Sequence, residues 1–140
     1  MAAFNKFYPF VEALAEKVHN LGSDTLKVML VDSPAPANTN SVKTDLTEIS
    51  AGNGYTAGGP TVTITSSAQT SGTYKLVGTD ITVTASGGSI GPFRYAVMYN
   101  DTAASKNLIG WRDYGSTITL ASGDSLTIDF DASNGILTLA

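Results

Sequence analysis

Few residues in this chain have the type and spacing to do chemistry. His19 is the sole histidine, and there is no cysteine. A Ser-His-Asp triad would have to use His19, yet it lies next to no obvious nucleophile turn and no Gly-x-Ser-x-Gly elbow is expected. Its place beside Lys17, near the end of a predicted helix, suits the negative pole of the helix dipole. One histidine and no thiols leave only carboxylates for zinc. Asp129 and Asp131 lie two apart, with Asp124 across a turn, a set of the kind that serves a glycosidase or binds calcium. Leu126, Ile128 and Phe130 alternate with them as the apolar face, which puts Asp129 on the solvent side.

Gly52, Gly54, Gly58 and Gly59 superficially resemble a phosphate cradle. Such a cradle needs a strand before it, a helix after it and a lysine at hand. Here Pro60 and a predicted strand follow, and no lysine is near in sequence. The run reads instead as a wide turn needing positive φ, with Tyr55 at the surface or at a contact. Tyr74, Tyr95, Tyr99, Trp111 and Tyr114, with Arg94 and Arg112 beside them, could form a sugar platform or an interface hot spot. As ordinary large residues they could equally be core.

The elements that must position these groups fall into two unlike parts. Phe4, Phe7, Val11, Leu14, Val18 and Leu21 recur at spacings of three and four, one apolar stripe on a helix, widened by Phe10. Pro9 is harmless only in the first turn. Either the helix starts near Pro9, with Phe4 and Phe7 packing from an extended arm, or it kinks there. Gly22 is the predicted stop. Leu26 to Val31 reads as a strand ended by Ser33-Pro34-Ala35-Pro36. A short helical turn is expected within Lys43 to Ile49.

After Pro60, strands follow in quick succession: around Val62 and Ile64, Tyr74 to Val77, Ile81 to Ala85, Phe93 to Tyr99, Leu108 to Tyr114, Ile118 to Leu120, Leu126 to Phe130, and Ile136 to Leu139. Turns are predicted at Ser71-Gly72, Gly87-Gly88 and Ser122-Gly123-Asp124, and Asn134-Gly135 is a hairpin signal. Phe93, Tyr95, Val97 and Tyr99 oppose Ala96 and Met98, the pattern of a central strand covered on both faces. The fold class expected is mainly β: an antiparallel β-sandwich or jelly roll of about eight strands with one N-terminal amphipathic helix. Residues 1–140 form a single domain, with 1–22 as helix and arm and 25–140 as the sandwich.

At 140 residues the chain can bury a real core. Its charged content of 14% is well below the usual ~25%, so Thr, Ser, Asn and Gly must supply much of the polar surface. Net charge is −4, and the basic residues are scattered singly. Arg112 is the last of them, so nucleic-acid binding by phosphate neutralisation is not expected. No apolar run is long enough to span a membrane, and no signal peptide is visible.

Two stretches carry a resemblance. Val18-His19-Asn20-Leu21-Gly22-Ser23-Asp24-Thr25-Leu26-Lys27-Val28-Met29-Leu30, preceded by the Phe-rich helix, is similar to the start of a family of small tailed-phage virion proteins. Leu46-Thr47-Glu48-Ile49-Ser50-Ala51-Gly52-Asn53-Gly54-Tyr55-Thr56-Ala57-Gly58-Gly59 resembles that family's second block. Pro9 departs from the uninterrupted helix expected there. The resemblance implies a non-enzymatic capsid cement, or decoration, protein without cofactor or metal. Such a protein would be made in the host cytoplasm and bind the outer surface of the head as a homo-oligomer, dimer or trimer. Its partner would be the major capsid protein, with neither nucleic acid nor membrane involved. Phe4, Phe7, Phe10, Tyr55 and Trp111 are the expected contact residues, with the alternative that the phenylalanines cap this chain's own core. The other reading is a tail or fibre adaptor touching glycans through Tyr95, Tyr99, Trp111 or Tyr114.

Overall fold

The computed structural model describes residues 3–140. The chain is mainly β with antiparallel sheets, the architecture of a β-sandwich. Strand β1 (Phe4–Lys6) leads into the helix α1 (Tyr8–Ala15), followed by β2 (Leu26–Val31) and a single 3-10 turn at Lys43–Asp45. Then come β3 (Ile64–Thr70), β4 (Thr73–Gly78), β5 (Ile81–Thr84), β6 (Ile90–Asn100), β7 (Leu108–Leu120), β8 (Ser125–Ile128) and β9 (Leu137–Leu139). The sheets run β1-β7-β6-β2, β3-β4-β9 and β5-β8.

The long β6 is the central strand that its sequence predicts. It pairs with β2 on one side and β7 on the other, and is buried on both faces from Tyr95 to Asn100. Side chains alternate through this sheet. Val28, Ala96, Met98 and Arg112 face Ile128 and Phe130 of the second layer. On the opposite face Trp111 meets Phe7, ring centroids 4.6 Å apart. The outer edge of β2 is closed by loops: Ile49 N–H donates to Leu30 C=O, Val28 N–H to Pro60 C=O, and Val62 N–H to Leu26 C=O. One contiguous core runs from Phe7 to Ile136.

Of the two alternatives at Pro9, the arm is the one realised. Phe4 sits on a strand paired with β7, and Phe7 is the helix N-cap with extended backbone. This shifts the helix phase from the one expected. Phe7, Phe10 and Leu14 face inward, whereas Val11 and Val18 are 50% and 39% exposed and stand outside with Tyr8, 58% exposed. The helix also stops well before Gly22. Lys17 takes the left-handed conformation (φ 69°), Val18 N–H reaches back to Ala13 C=O, and Lys17 N–H to Leu14 C=O. That is a Schellman closure with lysine in the place glycine usually takes. Gly22 belongs to a later turn, where Ser23 and Asp24 N–H both donate to Asn20 C=O.

Two further expectations are corrected. Leu108–Tyr114 and Ile118–Leu120 are one strand of 13 residues, with Gly115 at φ 86° relieving its bend. Asn134-Gly135 does not close a hairpin, because β8 pairs with β5 while β9 pairs with β4. The segment crosses between sheets instead. The Asp131 carboxylate accepts from Ser133 N–H, Asn134 N–H and Asn134 Nδ2, and Ile136 N–H then joins Leu76 C=O.

Candidate functional site

A cleft of about 460 Å³ lies where the end of α1 faces the β3-β4-β9 sheet. Leu14, Val18 and Leu21 form one wall, and Ser67, Tyr74 and Leu139 the other. His19 sits at its base, 5% exposed, with its ring centroid 5.2 Å from that of Phe10. The neighbouring Asn100 is fully buried at the end of β6. Asn100 Oδ1 accepts from Thr102 N–H (3.0 Å) and Ala103 N–H (3.2 Å), which fixes the amide orientation. Asn100 Nδ2 therefore donates to His19 Nδ1 (3.0 Å) and Asp24 Oδ2 (2.7 Å).

That geometry decides the histidine's role. Nδ1 must be an acceptor, so the proton of the neutral ring is on Nε2. Nε2 is buried with no partner. Burial lowers the His19 pKa, against a smaller upward pull from Asp24. A neutral ring whose basic nitrogen is already bonded has no free lone pair for a nucleophile. The nearby hydroxyl of Ser67 is engaged with that of Tyr74, 2.9 Å away. The His19-Asn100-Asp24 set is a brace that ties the loop after α1 to β6. Asn100 lies far from both partners in sequence, and no local pattern announces the contact.

The Gly-rich loop holds its own anion. Gly52, Asn53, Gly54, Gly58 and Gly59 all have positive φ, as expected of a wide turn. The Glu48 carboxylate is bound to the loop through one backbone amide. Its Oε1 accepts from Gly58 N–H (2.7 Å) and from Tyr55 OH (2.7 Å), and its Oε2 pairs with Lys43 Nζ at 3.0 Å. Tyr55 OH also accepts from Leu30 N–H at 3.0 Å, and Tyr99 OH donates to Gly58 C=O at 2.7 Å. Burial, then the Glu48 bond, pushes the Tyr55 phenol far above its ordinary value, and burial lifts Tyr99 to about 12. The fold does bring lysines near this loop, but Lys27 is paired with Asp101 at 3.4 Å and Lys43 with Glu48. A Cβ on Gly59 would land on the Val28 carbonyl, so the loop is seated directly on β2.

The expected contact residues are mostly inside. Phe7, Phe10, Tyr55 and Trp111 are buried in this chain's own core, and Phe4 is half-buried against it. Tyr55 is thus neither at the surface nor at an outer contact. Tyr95 and Tyr99 are buried as well, while Tyr74 and Tyr114 are half-buried, so these aromatics present no exposed platform. Contrary to expectation, the chain does hold one Gly-x-Ser-x-Gly, Gly87-Gly88-Ser89-Ile90-Gly91. It leads into β6 rather than a helix, and Ser89 C=O only accepts from Asn53 Nδ2. Asp129 is exposed, and Asp131 is engaged in its own turn. Among the described residues no three His, Asp or Glu side chains gather as metal ligands, and no helix is long and apolar enough to cross a membrane. Compared with known proteins, the chain matches no family model, no curated protein and no solved structure.

Proposed function

We propose that this chain is a non-enzymatic cement protein of a tailed-phage head. It binds the outer face of the capsid as a homo-oligomer and stabilises contacts between major capsid subunits. The observation that carries this reading is the corner where the two phage-like stretches meet. Val18 to Leu30 and Leu46 to Gly59 interlock through Ile49 N–H on Leu30 C=O, Tyr55 OH on Leu30 N–H, and Gly59 against Val28. The resemblance therefore covers one structural unit, and every polar group in that unit with a named partner serves to hold shape. The chemistry-bearing side chains are engaged in the same way, in the His19 brace and around Glu48.

The face this body offers a shell is the outer side of α1, where Tyr8 and Val11 are exposed. A protein that binds only the assembled shell stabilises that shell by mass action. Copy number per particle, measured by quantitative mass spectrometry against the major capsid protein, tests the reading. Near parity with capsid subunits is the expected result. A handful of copies moves the chain to the tail, and absence from particles overturns the proposal. In a positive case, Val11→Asp should release the protein from heads while leaving its melting temperature within a few degrees of wild type.

A further inference from the structure

Among the described residues two long edges lack a strand partner: β7 beyond Arg112, which carries Asp113 and turns at Gly115 with positive φ, and β3. The edge of β2 is closed by loops, and β1 and β9 are three residues each. Strand β3 runs for seven residues with β4 on one side and, among the described residues, no strand on the other. All of its residues after Ile64 are exposed. Natural proteins guard such edges with charge, proline, bulges or short strands. The only such device here is the register shift at Ile64/Ser66, at the base of the strand. There is no charged residue anywhere between Glu48 and Lys75.

We infer that β3 is a self-association edge that pairs antiparallel with β3 of a second copy, with Ala68 on the two-fold axis. The register follows from the hairpin. Thr70 and Thr73 flank the two-residue turn Ser71-Gly72, in which both residues have positive φ, so they form its closing hydrogen-bonded pair. Ladder bonds to β4 then fall on alternate residues, Thr70 and Ala68, and the amides and carbonyls of Gln69 and Ser67 point outward. Two such strands pair best when Ser67 meets Gln69 of the second copy and the reverse, which sets Ala68 opposite Ala68. A small central side chain suits that close, non-hydrogen-bonded position. The charge pattern favours a second copy over a charged partner. A chain of net charge −4 repels itself least through a segment carrying none. The nearest cations, Lys75 on each β4, end up about 14 Å apart across three strand spacings and are largely screened. The result is a continuous sheet, β9-β4-β3-β3-β4-β9.

The pairing rests on the cement reading only in that both require an oligomer, and it is tested on the free protein. Sedimentation velocity over a concentration series should show a monomer-dimer equilibrium. Ala68→Lys, which places like charges face to face, should raise the dimer dissociation constant about tenfold or more. Because the chain has no cysteine, Ala68→Cys gives an independent readout. Directly opposed cysteines on an antiparallel pair lie within disulfide reach. Mild oxidation should convert this variant to a covalent dimer, while Thr138→Cys, on the same face at the far strand, should stay monomeric. A wild type that stays monomeric throughout overturns the inference. So does a dimer indifferent to Ala68→Lys, or equal cross-linking at positions 68 and 138. None of these outcomes bears on head binding, which copy number decides separately.

Discussion

The corner around Tyr55 and the β3–β4 hairpin have nearly the same composition, yet they are opposites in structure. Both are rich in Gly, Thr, Ser and Tyr, and no charged residue lies between Glu48 in the corner and Lys75 in the hairpin. The corner is brought against β2, and its backbone groups meet Leu26, Val28 and Leu30. The hairpin projects with both faces of β3 wet. What separates them is one part-buried carboxylate-phenol contact and one glycine that lets backbone touch backbone. Polar, flexible sequence becomes rigid where a buried partner satisfies it, and stays available for pairing where none does.

The largest effect expected from breaking this contrast is at glycine. Gly59 and Gly72 have similar φ, 77° and 85°. A Cβ at Gly59 collides with the Val28 carbonyl, while one at Gly72 meets nothing within 4 Å. Gly59→Ala should destabilise by about 3 kcal/mol or more, combining backbone strain with a clash that β2 cannot relieve. Gly72→Ala should lose only the left-handed penalty, about 1 kcal/mol. Urea midpoints of the two variants make the comparison directly. Equal losses would mean that close approach to β2 is not what holds the corner.

Next in size is the phenol. Tyr55→Phe removes the acceptor of the buried Leu30 N–H and one donor to Glu48, which keeps Gly58 N–H and Lys43. A loss of about 2–3 kcal/mol is expected. The same deletion at Tyr74, whose hydroxyl only meets the exposed Ser67, should cost about 0.5 kcal/mol or less.

These contrasts also explain what could be read from the chain. Strand β2 was legible to the residue because its apolar run is bounded by Pro34, and the Ser71-Gly72 turn because its local chemistry is sufficient. Burial on both faces of β6 was legible from its two apolar faces. The end of α1 was not, since Lys17 adopts a conformation that sequence assigns to glycine. Asn134-Gly135 misled because Gly135 is needed where the backbone passes Leu76 C=O at a crossover, not in a hairpin. Tyr55 and the His19 brace were out of reach for another reason. Their partners, Leu30 and Asn100, come from other parts of the chain, and only the assembled sheet brings them together.

The brace gives a pH dependence of definite sign. The folded-state pKa of His19 lies below its ordinary value of about 6.5, so the unfolded chain binds the proton more readily. Its contribution is fully present above about pH 6.5 and is lost as pH falls from there toward the folded-state pKa. Thermal melts of wild type should therefore decline through that window, and His19→Leu should flatten the decline. A steeper loss in the variant would mean that other groups control the acid limb.

The smallest effect belongs to the hairpin as a monomer. The Ala68 side chain lies on the solvent side of β3, opposite Lys75 on β4 and away from the Ser67-Tyr74 face that lines the cleft. Ala68→Lys adds one like charge beside Lys75 and removes no packing. Measured well below the dimer range, its urea midpoint should correspond to a change within about 0.5 kcal/mol. A loss of several times that size would place the hairpin inside the cooperative core, and the contrast with the Tyr55 corner would fail. A neutral result has the opposite force. A substitution silent in the monomer but disruptive to the dimer locates the function of β3 at its edge, because no other property of that strand would have changed.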